Sequence, residues 1–76
     1  MEWNSVIKEI RNRLFLTQEE LAKALDVSFA TVNRWENKIF EPSMKDKRKI
    51  KEFCDKNDIN LGGILNGWFS KYKTFI

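Results

Sequence analysis

The stretch that decides the fold is TQEELAKALDVSFATVNRWEN, residues 17–37. It opens on a helix start signal. Thr17 is followed three residues later by Glu20, the spacing at which each side chain reaches the other's backbone N–H. Leu21, Ala22 and Leu25 then recur at helical spacing, so a short helix over 18–25 is expected with those three inward. Asp26 ends it, and Ser28 caps another helix beginning one or two residues on. The joint, residues 26–28, is so short that the two helices must cross at a steep angle.

The second of these helices, 29–37, has two unlike sides. Advancing each residue by about 100° puts Val32 and Trp35 together and sets Ala30, Asn33, Arg34 and Asn37 opposite. Trp35 is read as core. Phe29 falls at the edge of the outward face, and two readings stay open for it: a staple against the preceding helix, or a contact to a ligand. The outward face is narrow, with an amide and a guanidinium beside a methyl group. A DNA major groove accepts a helix with such a face.

Outward from this pair, residues 4–14 place Ile7, Ile10 and Leu14 at 3, 4 spacing between charges, which predicts an amphipathic helix. Leu16 is expected as a buried anchor. Residues 38–42, KIFEP, read as a loop that Pro42 closes to helix. Ser43 with Asp46 again resembles a capping pair, and a fourth helix is expected to about Lys56 with Met44, Ile50, Phe53 and Cys54 inward. Asn60 starts a fifth carrying Leu61, Ile64 and Leu65, weakened by Gly62 and Gly63 at roughly 1 kcal/mol each. Asn66-Gly67 is a stop signal. The expectation is an all-α, compact bundle of about five short helices over 1–67, followed by an aromatic and basic tail, 68–76.

Composition narrows the function. The chain has 76 residues, 42% hydrophobic and 33% charged, with net charge +3, which is the profile of one small globular domain. No apolar run approaches the ~18 residues of a membrane span, and the N-terminus lacks the pattern of a secretory signal; a cytoplasmic protein is expected. Cys54 is the sole cysteine and there is no histidine, which excludes the common zinc ligand sets and removes the usual general base. Neither a metal, a cofactor nor an enzyme activity is expected. Six basic residues fall between Lys38 and Lys51, read either as a solvated helix face or, in its first half, as a surface near DNA.

These residues together resemble the lambda-repressor-like helix-turn-helix family, the group containing phage repressor and Cro proteins. The likeness covers roughly residues 5–66. It rests on Thr17-Gln18, the small Ala22, Val27 and Val32, Trp35, Glu36-Asn37 and then Pro42-Ser43. The resemblance implies base contacts from Phe29, Ala30 and Arg34, with Asn33 meeting either adenine or a phosphate. It implies a phosphate grip by Gln18 at a helix N-terminus and a partly buried salt bridge between Arg11 and Glu36. Ser28 and Thr31 by hydroxyl, Ser43 as the start of the fourth helix, and Lys38 and Lys45 by charge, are expected to hold the DNA backbone. Asp26 and Lys38 stand where this family commonly has glycine, which points to left-handed backbone at Asp26 and, at Lys38, to either left-handed strain or a locally different loop.

The leading functional expectation is sequence-specific binding of double-stranded DNA through the helix at 29–37, as a transcriptional regulator. The alternative is an antitoxin or accessory DNA-binding subunit, for example of a restriction–modification or methyltransferase system, whose C-terminal tail binds a protein. A module that has lost DNA binding is a third. Residues 59–76, with Trp68, Phe69, Tyr72 and Phe75, are the expected surface for a homodimer or protein partner, unless the tail packs back on the core or is flexible.

Overall fold

The computed structural model describes residues 2–65. They form five helices: α1 Trp3–Arg13, α2 Gln18–Leu25, α3 Phe29–Glu36, α4 Met44–Lys56 and α5 Leu61–Leu65. The all-α bundle is the expected one. The tail 68–76, and with it the division at residue 67, lies outside the described residues.

The helix starts are set by local chemistry. Thr17 and Glu20 form a complete capping box: the Thr17 hydroxyl accepts from Glu20 N–H at 3.1 Å, and Glu20 Oε1 accepts from Thr17 N–H at 2.8 Å. That hydrogen bond holds the exposed Glu20 carboxyl below its ordinary pKa. Ser28 caps α3 by accepting from Thr31 N–H, and Ser43 caps α4 by accepting from Asp46 N–H. Asn60 caps α5 by accepting from Gly63 N–H at 2.9 Å.

The helix ends share one device. α1 to α4 each finish in a residue with positive φ: Phe15 (56°), Asp26 (57°), Lys38 (62°) and Asp58 (57°). In each case the next residue, Leu16, Val27, Ile39 or Ile59, donates its N–H five residues back, to Arg11, Ala22, Arg34 or Cys54. This is the Schellman geometry, which satisfies carbonyls that the helix end leaves free. None of the four residues is glycine, so each carries left-handed strain of about 1–2 kcal/mol.

α1, α2 and α3 pack around Ile7, Ile10, Leu21, Val32 and the fully buried Trp35, and α4 closes the core with Ile50 and Cys54. Ala22, 3% exposed, lets α2 and α3 approach closely. Burial of the Cys54 thiol pushes its pKa up to about 11.

Several expectations need correction. Met44 is 66% exposed, not inward; at 100° per residue it lies about 120° around α4 from Ile50. Pro42, in the preceding loop, is buried instead. Leu14, Leu16 and Phe53 are only half-buried against the core. Of the expected partner surface 59–76, Ile59 and Leu61 belong to the core, and Ile64 and Leu65 pack partly against it; residues 66–76 lie outside the described ones.

Candidate nucleic-acid interface

α3 begins at the Ser28 cap, where the Ser28 and Thr31 hydroxyls also bond each other at 2.8 Å. Two hydroxyls carry two protons and this contact uses one, so the pair still has one to give. The inward side of α3 is Val32, Trp35 and Glu36, all under 5% exposed. The outward side carries Phe29 at 51% exposure together with exposed Ala30, Arg34 and Asn37. Phe29 is thus a half-covered ring at the helix start. Among the described residues Arg34 has no carboxylate within ion-pair distance.

Asn33 is placed differently from its expected outward position. It is half-buried and hydrogen-bonded on both ends of its amide. Its Nδ2 donates to Gln18 Oε1 at 3.1 Å, and its Oδ1 accepts from Asn37 Nδ2 at 3.0 Å. Gln18 Nε2 in turn donates to Glu36 Oε1 at 3.1 Å. Gln18 therefore does not stand free at the start of α2. Its amide bridges α2 to α3, with one Nε2 proton left over.

The bridge ends on an ion pair. Arg11 Nε donates to Glu36 Oε2 at 2.9 Å and Arg11 Nη2 to Oε1 at 3.0 Å, the two-pronged geometry that suits a guanidinium and a carboxylate. Arg11 Nη1 also donates to the Leu16 carbonyl at 3.2 Å. The Glu36 side chain is 3% exposed and that of Arg11 22%. The hydrogen bonds from Glu36 raise the Arg11 pKa, with desolvation opposing. One connected set of side chains, Arg11, Glu36, Gln18, Asn33 and Asn37, thus ties α1, α2 and α3 together.

The remaining candidates fall into two groups. Lys45 is exposed without an ion-pair partner among the described residues, and Ser43 sits at the N-terminus of α4 as its cap. Lys38, expected to be free for phosphate, makes an exposed pair with Glu2 at 3.1 Å, at the left-handed end of α3. Of the basic run after it, Lys47 and Lys49 are turned to the protein, while Lys45, Arg48 and Lys51 are exposed. Lys47 lies over the Trp3 ring at 5.2 Å and near Glu41 at 3.9 Å. Lys49 donates to the Asp26 carbonyl at 3.2 Å, and Lys51 pairs with Asp55 at 2.8 Å. The i,i+4 spacing of Lys51 and Asp55 is a sequence signal for that last pair. Nothing local in sequence announces the Lys49 or Trp3 contacts.

Among the described residues no group of three His, Cys, Asp or Glu side chains is arranged to hold a metal ion, and no helix is long and apolar enough to cross a membrane.

A family model described as helix-turn-helix matches residues 7–57. The HTH-type transcriptional activator BcrR of Enterococcus faecalis is 36% identical over 67 residues, which cover 88% of this chain and 31% of that protein. The chain therefore spans about a third of the length of that relative. No solved structure matches it significantly.

Proposed function

The chain belongs to this helix-turn-helix family of DNA-binding regulators, and from that premise we propose that it reads double-stranded DNA by sequence, with α3 in the major groove, to regulate transcription. The observation that carries the reading is the composition of the outward face of α3. Arg34, without an ion-pair partner among the described residues, stands one turn beyond exposed Ala30 and Phe29. Arg34 suits the O6 and N7 acceptors of guanine, and Ala30 and Phe29 suit thymine methyls. Around that face lie groups fit for phosphate: the spare Gln18 proton, the Ser28–Thr31 hydroxyl pair, Lys38, and Lys45 beside Ser43 at the N-terminus of α4. These fix register and make binding fall with salt.

Selection from a random duplex pool tests this. The expected consensus has guanine next to thymine steps. Arg34→Ala should lose about 1–3 kcal/mol of discrimination at the guanine and keep its non-specific affinity. Failure of every duplex to bind, or an Arg34→Ala variant with the wild-type consensus and affinity, defeats the proposal. Two-fold symmetry in the consensus would report two copies whose recognition helices sit about 34 Å apart.

A further inference from the structure

Asn33 lies on the recognition helix, yet its amide is directed at the protein. The polarity of its contacts explains why. Glu36 is a buried carboxylate and only accepts, so Gln18 must turn Nε2 toward it. That leaves Gln18 Oε1 facing α3, and only a donor satisfies it; Asn33 supplies Nδ2. Asn33 Oδ1 is then left to accept from Asn37 Nδ2, which also donates to the Asn33 backbone carbonyl at 2.9 Å. Three side-chain amides thus donate in one direction toward one anion, an arrangement in which each bond strengthens the next. The charge at Glu36 sets the orientation of every amide in the row.

We infer that Asn33 is a positioning residue for DNA binding: it holds the Gln18 amide between α2 and α3 with its spare Nε2 proton directed to a phosphate, and it reads no base. The inference rests on the DNA-binding function proposed above and adds how that function is set up. Glu36 takes one Gln18 Nε2 proton, and the second has no acceptor among the described residues. Without Asn33, Gln18 Oε1 loses its donor, and the side chain, held only by its contact to Glu36, is less firmly fixed at the α2 N-terminus. The phosphate contact and the base-reading face are locked to each other by this one amide, so the loss is felt equally on all sequences.

The test uses the full 76-residue chain. Wild type, Asn33→Ala and Arg34→Ala are each taken through duplex selection and titrated at several salt concentrations. Asn33→Ala is expected to select the wild-type consensus while binding every duplex about tenfold more weakly. Its plot of log affinity against log salt is expected to be shallower by about 0.9, one phosphate contact. An Asn33→Ala consensus that becomes degenerate at one base pair, with the salt slope unchanged, overturns the inference and makes Asn33 a base reader. A wild-type chain that binds no duplex overturns the DNA reading itself, which keeps the two failures apart. NMR of the free protein supplies a readout that needs no DNA. Asn33→Ala should displace the Gln18 side-chain amide protons and speed their exchange with solvent; unmoved Gln18 resonances overturn the inference.

Discussion

Replacing Arg11 with methionine isolates what the buried ion pair contributes. Methionine keeps much of the apolar stem and removes the charge and all three donors that Arg11 uses. The Glu36 carboxylate, 3% exposed, then retains only the Gln18 contact out of three hydrogen bonds. Removing one partner of a buried pair generally costs about 3–5 kcal/mol, because the other charge stays behind without compensation. Arg11 is 22% exposed, so water already meets part of it and the lower end, about 3 kcal/mol, is expected. A domain of this size has a total stability on the order of 4–11 kcal/mol. The variant is therefore pushed toward the edge of folding, with a Tm roughly 12–24 °C lower.

Urea unfolding, followed together by far-UV circular dichroism and by the fluorescence of buried Trp35, measures the loss. The double variant Arg11→Met/Glu36→Leu is the companion. It removes both charges, and leaves the Gln18 donor without its acceptor and the Leu16 carbonyl without its Arg11 donor. Recovery to within about 1–2 kcal/mol of wild type is expected. A single variant that loses less than about 1 kcal/mol, or a double variant no more stable than the single, would refute the claim that an uncompensated buried carboxylate dominates.

Three other outcomes follow from the same structure. Lys38→Gly relieves left-handed strain and should stabilise by about 1 kcal/mol in urea, while flattening the salt dependence of DNA binding by about 0.9 where Lys38 meets a phosphate; Phe15→Gly, at a separate helix end, should add its own gain of about 1 kcal/mol. Cys54 should react with a thiol reagent only as fast as the protein unfolds. Its raised pKa favours the folded state fully at pH values below that of an unfolded thiol, ~8.5, and this contribution is lost as pH rises through about 11, so wild type should weaken across that alkaline range more than Cys54→Ala. Ala22→Leu should cost about 1–3 kcal/mol by forcing α2 and α3 apart, read as a lower urea midpoint.

The sequence announced where helices start far better than where they stop. Starts depend on side chains such as Thr17, Ser28, Ser43 and Asn60, whose type alone indicates the bond they make. Stops in this chain depend on backbone handedness at residues that are not glycine. Asp26, and Lys38 as one of two alternatives, are read only through the resemblance to a family with glycine there, and nothing is read at Phe15 and Asp58. A signal did exist, in the apolar residue directly after each: Leu16, Val27, Ile39 and Ile59. The site divides in the same way. Rotation by 100° per residue separates Ala30 and Arg34 from Val32 and Trp35, because direction around a helix is local. It misplaces Asn33, whose partner Gln18 is brought alongside only by the crossing of α2 over α3.

That crossing also limits what the interface is able to read. On and around α3 the polar side chains are Ser28, Thr31, Asn33, Arg34, Glu36 and Asn37. Ser28 and Thr31 bond each other, and Asn33, Glu36 and Asn37 lie in the row of amides that ends on Arg11. Rotating the Asn33 amide outward to a base would break its bonds to Gln18 and Asn37 and loosen the grip at the start of α2. Of these six side chains, Arg34 is the one that makes no hydrogen bond or ion pair to the protein among the described residues. With α3 in the groove as proposed, hydrogen-bond readout thus centres on one guanidinium, and Phe29 and Ala30 add shape against thymine methyls. Much of the remaining affinity then comes from phosphate contacts, of which the one from Gln18 is held by the Arg11–Glu36–Gln18 set, so a change anywhere in that set alters how tightly the domain binds more than what it binds.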